Sequence, residues 1–209
     1  MTSSPPLEEK FNAPIADILE AIAHGFRAQV DVRGKLAELY LYRYLERLRE
    51  GGQIGSLQWH DADGQPDFEA VMRDGRKLRL ECKNLRSDKR FSPGRGCRVE
   101  IQKTRGGRDK KGRKTRGYLA NHFDVLAACV FNQTGEWSFR FIAARWLARR
   151  ADDSRVLEVM QTVPLTGEGE HWHDDFLEAV EDARRKGPIL ISRSGQRRRK
   201  SKALTRAPQ

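Results

Sequence analysis

The first apolar pattern along the chain is helical. In residues 14–26, PIADILEAIAHGF, the large apolar side chains recur at the three- and four-residue intervals of one helix face. Residues 31–50 give the strongest helix prediction, and Gly51 and Gly52 supply its stop signal.

The predicted helix 31–50 has an unusual residue on its apolar stripe. Leu41, Leu45 and Leu48 form the stripe, and its backward extension reaches Glu38 and Gly34. A carboxylate on an apolar stripe is costly unless it has partners. Glu38 is therefore a candidate functional residue.

A three-strand meander is predicted next. Residues 56–60 are the first candidate strand, and residues 67–74 and 76–83 alternate as a hairpin about Asp74-Gly75. Because side chains alternate with period two, Leu78, Leu80 and Cys82 point one way, whereas Arg79, Glu81 and Lys83 point the other.

The remaining pattern predicts two strands and a closing helix. Residues 123–131 are a continuous apolar run typical of a buried strand, and residues 136–144 follow as its neighbour. Residues 173–187 have acids in the first turn and bases in the last, as in a helix. The order predicts an α/β (α+β) fold with a mixed central sheet flanked by helices.

Composition limits the class of protein. The 209 residues are 38% hydrophobic and 33% charged, and no run is long and apolar enough to cross a bilayer. The first ten residues lack the apolar core of a secretory signal. Three cysteines without a CxxC pair favour reduced thiols in a cytoplasm, so we expect a cytoplasmic protein with no membrane partner.

The net charge of +11 is concentrated in two segments. Residues 83–116 hold 14 Lys or Arg against three acids, and residues 193–209 hold seven and no acid. The rest of the chain is acidic, so we divide it into a flexible leader (1–12), one domain (13–192) with a basic insertion (84–118), and a compositionally disordered basic tail (193–209). Clustered cations release counterions from a phosphate backbone, which predicts a nucleic-acid partner, although solvated loops are the alternative.

The basic insertion supplies the candidate DNA-binding side chains. Its glycines permit close approach to phosphates, and its arginines suit bidentate binding, whether for tracking the backbone or for reading bases in a groove. The candidates are Arg86, Lys89, Arg90, Arg95, Arg98, Lys103, Arg105, Arg108, Lys110, Lys111, Arg113, Lys114 and Arg116.

The hairpin carries the candidate chemistry. Glu81 and Lys83 are two apart on one strand, about 6.6 Å along one face, and Asp67 opens the neighbouring strand. Two nearby carboxylates repel by several kcal/mol at low dielectric, and a divalent cation removes that penalty. Carboxylate oxygens, with the main-chain carbonyl of Cys82, suit Mg²⁺, and Lys83 is placed to orient water or neutralise charge at a phosphoryl group.

The Pro66-Asp67 pair followed by Glu81-Cys82-Lys83 resembles the PD-(D/E)xK phosphodiesterase superfamily, over roughly residues 31–144. That group includes type II restriction endonucleases, junction resolvases and RecB-type nucleases. The resemblance implies a restriction-endonuclease-like α-β-β-β-α-β core and divalent-metal cleavage of DNA. It implies Asp67 and Glu81 as metal ligands and Lys83 as the catalytic lysine, with Mg²⁺ as the metal and Mn²⁺ as a substitute.

Two further residues follow from the same resemblance. Glu38 resembles the first-helix acid that many members add to the site, and Gln102 resembles a glutamine that several members carry after the core strand. The long basic stretch between Lys83 and Tyr118 aligns with no single subfamily.

Competing chemistry has little support in the sequence. There is no G-x-S-x-G elbow and no P-loop, so we expect no nucleoside triphosphate. His171 and His173 lack a second ligand cluster for zinc, and the acids after them are typical of the first turn of a helix.

The leading hypothesis is a Mg²⁺-dependent DNA endonuclease acting on double-stranded DNA, in the manner of a type II restriction enzyme. The enzymatic alternative is a junction resolvase or a repair or phage nuclease. Both usually act as homodimers, so we expect one. The nonenzymatic alternative is a nucleic-acid-binding protein in which Glu81 and Lys83 are a surface strand pair and Asp67 is a turn residue.

Overall fold

The computed structural model describes residues 6–62, 64–87, 97–102, 117–165, 169–184 and residue 191. The helices are α1 (Leu7–Phe11), α2 (Ile15–His24), α3 (Phe26–Glu50), α4 (Phe131–Thr134) and α5 (Phe176–Asp182), with a 3₁₀ turn at Ala144–Trp146. The strands are β1 (Ile54–Trp59), β2 (Phe68–Met72), β3 (Lys77–Asn84), β4 (Cys97–Glu100), β5 (Val125–Cys129), β6 (Phe139–Ala143) and β7 (Met160–Val163).

The main sheet is mixed and has five strands in the order β1-β2-β3-β5-β6. The predicted meander is confirmed, because β1, β2 and β3 pair antiparallel. The buried run after the basic segment forms β5, which pairs parallel with β3 and antiparallel with β6. All five residues of β5 are buried, as expected for a strand with both faces covered. The predicted mixed α/β class is confirmed.

The Asp74-Gly75 turn joins β2 to β3. The amide of Met72 donates to the carbonyl of Arg76 at 2.7 Å, which leaves residues 73–75 as the loop. Gly75 has φ of 83°, the left-handed conformation that a three-residue hairpin loop requires at its last position. The hairpin register sets Phe68 opposite Leu80 and thereby fixes Asp67 relative to β3.

Two apolar cores lie on opposite faces of the main sheet. On one face, Leu41 and Leu45 of α3 and Phe176 of α5 pack in a cluster that includes Leu80. On the other face, Leu126 packs in a cluster with residues of β4 and β7. Because Leu80 and Cys82 of β3 belong to the first core, Glu81 and Lys83 face the side of the second.

The sequence did not predict the second sheet, in which β4 pairs antiparallel with β7. Each strand has four residues, and β4 lies inside the segment expected to be a basic insertion. The helix that the resemblance implies between the third and fourth core strands is not present among the described residues between β3 and β5, where β4 lies instead.

Three helix boundaries also differ from those predicted. Helix α1 lies within the expected leader, and α3 begins at Phe26 rather than at residue 31, because only Gly25, in an extended conformation, separates it from α2. The closing helix is limited to Phe176–Asp182, because Asp175 caps it and His173 pairs with Phe141 of β6. Residues 185–187 lie outside the described part.

Within the described residues, no helix combines the length and the apolar composition needed to span a bilayer.

Candidate active site

The candidate site lies at a notch in the main sheet, where β3 extends beyond its neighbour β2. Strand β2 begins at Phe68, opposite Leu80, so residues 81–84 of β3 have no β2 partner on that edge. Asp67 lies at the mouth of this notch, and its Oδ2 accepts a hydrogen bond of 2.7 Å from the amide of Cys82. The side chain of Asp67 thus accepts the hydrogen bond that the backbone of a longer β2 would accept from Cys82.

The three predicted residues converge. The Lys83 Nζ atom lies 2.5 Å from Glu81 Oε1 and 3.9 Å from Asp67 Oδ2. The two carboxylate oxygens are therefore no farther apart than the sum of these distances. Asp67, Glu81 and Lys83 share one face of the hairpin, as the alternation predicts.

Burial makes this cluster electrostatically unusual. Glu81 is only 2% exposed, and burial raises its pKa, as does the charge of Asp67, whereas Lys83 and Tyr118 oppose the rise. Burial alone would lower the pKa of Lys83, but the charges of Glu81 and Asp67 outweigh it and hold that pKa above its ordinary value. Lys83 is therefore a cation at neutral pH.

Tyr118 is a member of the site that the sequence did not reveal. Its hydroxyl donates to Glu81 Oε1 at 2.5 Å, the same oxygen that receives Lys83. Burial, together with the negative charge of Glu81, raises the pKa of Tyr118. The phenol is therefore a neutral hydrogen-bond donor that orients the buried carboxylate.

Glu38 reaches the same cleft from α3, but its direct partners differ from those expected. Its Oε2 accepts hydrogen bonds from Trp59 Nε1 at 3.1 Å and Lys35 Nζ at 2.9 Å. Lys35 also binds Asp61 at 2.8 Å, and that contact lowers the pKa of Asp61. The Glu38 carboxylate thus has two hydrogen-bond donors at the edge of the cleft, the ammonium group of Lys35 and the indole of Trp59.

Gln102 also lines the cleft, next to Tyr118. Its amide donates to Glu100, the last residue of β4, and its backbone bridges to Gly117. Gln102 therefore lies beside the site, with Glu100 as its hydrogen-bond partner.

The main chain of Cys82 faces the notch. Its amide points to Asp67, and the N–H and C=O of one strand residue lie on the same edge. The carbonyl of Cys82 is therefore directed to the side on which Asp67 lies, whereas its thiol belongs to the first core.

These residues line a cleft of about 980 Å³. Nine of its described lining residues carry a formal charge, and acids outnumber bases by six to three. The acids are Asp31, Glu38, Asp61, Asp67, Glu69 and Glu81, and the bases are Lys35, Arg79 and Lys83. The described lining of the cleft therefore has an excess of negative charge, in a chain whose net charge is +11.

Side-chain ligands for a metal are few. Among the described residues, no group of three or more His, Cys, Asp or Glu side chains is arranged to hold an ion. The donor set at the notch is two carboxylates and one main-chain carbonyl. That set suits a hard cation that keeps several waters, as Mg²⁺ does, and does not suit zinc.

Two of the predicted DNA-binding residues fall within the described part. Arg86 forms a 3.0 Å ion pair with Glu100, and Arg98 is exposed on β4. Neither is among the described residues that line the cleft. The others lie outside the described residues: Lys89, Arg90, Arg95, Lys103, Arg105, Arg108, Lys110, Lys111, Arg113, Lys114 and Arg116.

The two histidines that precede α5 share a buried acid of that helix. His171 Nδ1 and His173 Nε2 both contact Asp182 Oδ2, at 2.9 and 3.3 Å. The ring of His171 stacks on Trp146 with centroids 3.7 Å apart. The histidines thus join the loop before α5 to the end of that helix.

Comparison with known proteins adds one structural likeness. The chain matches none of the protein families compared with it, and none of the curated proteins. Among solved structures it is similar to a bacterial homing endonuclease, I-Ssp6803I, with 14% identity and a TM-score of 0.43 over 85% of this chain and 98% of that one. This likeness is too weak to assign a fold or a function.

Proposed function

We propose that the chain is a divalent-metal-dependent endonuclease that hydrolyses phosphodiester bonds of double-stranded DNA. Asp67, Glu81 and the main-chain carbonyl of Cys82 would hold Mg²⁺, for which Mn²⁺ can substitute. Lys83 is the catalytic lysine, and Glu38 and Gln102 support the cleft. The finer form of the proposal is a type II restriction-like activity in the cytoplasm.

One observation carries the proposal: the carboxylate of Asp67, just before β2, meets the carboxylate of Glu81 and the ammonium group of Lys83, both on β3, in one cleft. Glu81 is buried at 2% exposure, and burying a charged carboxylate costs several kcal/mol unless it is paired. A surface strand pair would stabilise the fold by only tenths of a kcal/mol and would not be buried. The buried arrangement therefore favours a functional site over a surface pair.

The negative cleft supports a cation as a cofactor. Among the described lining residues, six acids against three bases would repel a phosphate group, because like charges in a partly buried cleft are weakly screened. A divalent cation held by Asp67 and Glu81 would offset two of these negative charges and would make the charge of the notch formed by Asp67, Glu81 and Lys83 positive. The oxygen-only donor set agrees with this role.

Lys83 and Tyr118 have separate roles in the proposed reaction. Lys83, protonated between Asp67 and Glu81, can stabilise negative charge that develops on the phosphate oxygens. Tyr118 fixes the orientation of the Glu81 carboxylate through its hydroxyl. A bound divalent cation supplies Lewis-acid polarisation of the phosphoryl group.

DNA as the substrate is supported by the charge distribution along the chain. The basic segment of residues 83–116 begins at the end of the catalytic strand β3 and continues beyond it, and residues 193–209 add seven bases without an acid. Such clusters bind a phosphate backbone without regard to sequence.

A plasmid-nicking experiment with a matched pair of lysine variants tests the proposal. Lys83→Ala should reduce cutting at least about a hundredfold, as expected for loss of one preorganised cationic group. Lys77→Ala changes an exposed lysine on the same strand and should cut like the wild type. EDTA should abolish cutting by the wild type and by both variants. Excess Mg²⁺ should then restore the activity of the wild type and of Lys77→Ala.

Binding measured in parallel separates the nuclease from the nonenzymatic alternative. A nuclease with Lys83→Ala should still shift DNA in a gel while failing to nick it. If the wild type shifts DNA but never nicks it with Mg²⁺ or Mn²⁺, the chain is a binding protein. Cutting of linear palindromic duplex supports the restriction-like form, whereas cutting only of branched DNA supports a resolvase.

A further inference from the structure

The first half of α3 forms one wall of the cleft. Its lining residues recur mainly at three- and four-residue intervals, which is the spacing of one helix face, and they are Val30, Asp31, Gly34, Lys35, Ala37 and Glu38. Lys83 of β3 lines the same cleft. This wall of α3 therefore borders the same space as the proposed reaction centre.

The glycine of this wall, Gly34, is accounted for neither by helix propensity nor by packing. It lies in the interior of the 25-residue α3, where glycine destabilises a helix relative to alanine. A Cβ added at Gly34 would meet no atom within 4 Å beyond its own turn of the helix, whereas a Cβ added at Gly117 would lie 3.0 Å from Val156. The space beside Gly34 is open cleft, and glycine is the residue that lets a ligand approach a backbone most closely.

A closed ring of hydrogen bonds holds this turn of α3 against the catalytic strand. Asn84, the residue after Lys83, donates from Nδ2 to the carbonyl of Arg33 at 3.2 Å. The guanidinium group of Arg33 donates to Asn132 Oδ1 at 3.3 Å, and Asn132 Nδ2 donates to the carbonyl of Leu85 at 2.5 Å. Because Leu85 follows Asn84 in the chain, the hydrogen-bonded ring is closed and joins α3, β3 and the start of α4.

We infer that Gly34 is a substrate-contact position, at which the DNA strand bound at Asp67, Glu81 and Lys83 approaches α3 most closely. The inference rests on the proposed function for the identity of the substrate. The carbonyl of the preceding residue, Arg33, is bound to the residue after Lys83, so Gly34 lies beside the reaction centre. A nucleotide next to the scissile phosphate occupies the open space that a side chain at position 34 would fill.

The charges beside this position indicate which part of the nucleotide meets α3. Asp31 and Glu38 are acids, and the ammonium group of Lys35 is shared between Glu38 and Asp61, at 2.9 and 2.8 Å. An acidic wall repels phosphate oxygens. The contact is therefore with the sugar and base of the nucleotide, whose phosphate lies toward Lys83.

Side chains added at Gly34 distinguish a substrate contact from a structural role. Gly34→Ala should raise the urea concentration at the unfolding midpoint, because alanine improves helix propensity and its methyl group enters open space. Single-turnover cleavage at saturating protein should nevertheless fall, about tenfold for Gly34→Ala and about a hundredfold for Gly34→Leu, because the added atoms displace the nucleotide. Val32→Ala and Val32→Leu change an exposed residue of α3 that does not line the cleft, and both should cut like the wild type.

Binding of a short DNA duplex with Ca²⁺ in place of Mg²⁺ supplies a readout that does not depend on cutting, because Ca²⁺ takes the same kind of oxygen ligands. Gly34→Leu should bind the duplex roughly tenfold more weakly than Val32→Leu. If the wild type never cuts but this difference in binding is found, the proposed function is wrong and the contact at Gly34 stands. If the wild type cuts and Gly34→Leu equals Val32→Leu in cutting and binding, the contact is wrong and the proposed function stands. A lower unfolding midpoint for Gly34→Ala than for the wild type would also overturn the inference.

The hydrogen-bonded ring predicts that two of its variants are not additive. Asn84→Ala and Asn132→Ala should each lower the single-turnover rate about tenfold, and the double variant should be no slower than the slower single variant, because either change opens the same ring. Gln133→Ala is the control, since Gln133 binds the carbonyl of Arg86 at 2.6 Å from the same helix without a bond to α3, and it should cut like the wild type. A roughly hundredfold loss in the double variant would show that the two bonds act separately, and the ring would then have no part in positioning Gly34.

Discussion

One oxygen of Glu81 receives two hydrogen bonds, from Lys83 and from Tyr118. The proximity of Glu81, Lys83 and Asp67 was predictable, because period-two alternation and the Asp-Gly turn fix which side chains share a face. Tyr118 was not, because it lies 37 residues away in the chain, beyond a basic stretch with no periodicity. A contact between distant segments leaves no local signal in the sequence.

We predict that Tyr118→Phe lowers kcat roughly tenfold while changing DNA affinity little. The variant removes one hydrogen bond to a charged group, which contributes about 1.5–3 kcal/mol, and part of that loss is expressed in the transition state. Single-turnover cleavage at saturating protein measures the rate, and a parallel binding titration measures affinity.

Tyr40→Phe is the matched control for this prediction. Tyr40 stacks on Trp137 with ring centroids 5.0 Å apart, and phenylalanine keeps that stacking. It should cut at the wild-type rate. Equal rates for wild type and Tyr118→Phe would show that Glu81 does not need the phenol for its orientation.

At the scale of elements, local patterns and long-range pairing differ in how well sequence reveals them. The meander β1–β3 was predictable mainly from its β2–β3 hairpin, whose turn is short and whose alternation is regular. The pair β4 and β7 was not, because two strands of four residues meet across about sixty positions of chain. Gln102, which follows β4, was thus assigned to the site from resemblance alone, and its partner Glu100 was not foreseen.

The start of α5 has a cap whose loss can be measured. Asp175 accepts hydrogen bonds from the amides of Leu177 and Glu178 and from the hydroxyl of Tyr44 on α3. We predict that Asp175→Ala lowers the free energy of unfolding by about 1–2 kcal/mol, because helix α5 loses its N-cap and its tie to α3. Urea denaturation followed by circular dichroism measures the change.

Asp152→Ala is the control for the cap. Asp152 pairs with Arg150 in an exposed loop, where an ion pair contributes little. The urea concentration at the unfolding midpoint of Asp152→Ala should equal that of the wild type within experimental error. A midpoint for Asp175→Ala as high as that of Asp152→Ala would mean that the cap does not hold α5 on α3.

At the scale of the whole molecule, acidic and basic residues are concentrated in different parts of the chain. The described cleft is acidic, and the bases that give the chain its net charge of +11 lie in residues 83–116 and 193–209. The sequence revealed the two basic segments, because finding them needs only a count of charged residues along the chain. Most of those bases lie outside the described residues.

The charge separation makes binding and cutting respond differently to loss of the tail. Deleting residues 193–209 removes seven bases and no acid, and none of the described cleft residues. Each phosphate that the protein no longer neutralises reduces the slope of log affinity against log salt by about 0.9, so we predict a shallower slope and weaker binding at low salt. The single-turnover rate at saturating protein should stay unchanged.

A tail of equal length in which serine replaces the seven bases distinguishes charge from chain length. If the tail acts through its charge, this variant should match the deletion in both slope and affinity. A wild-type slope in both variants would assign the phosphate contacts to residues 83–116 instead. In that case the tail would have no part in binding, and the lysines and arginines that follow β3 would supply the cations that oppose the acidic cleft.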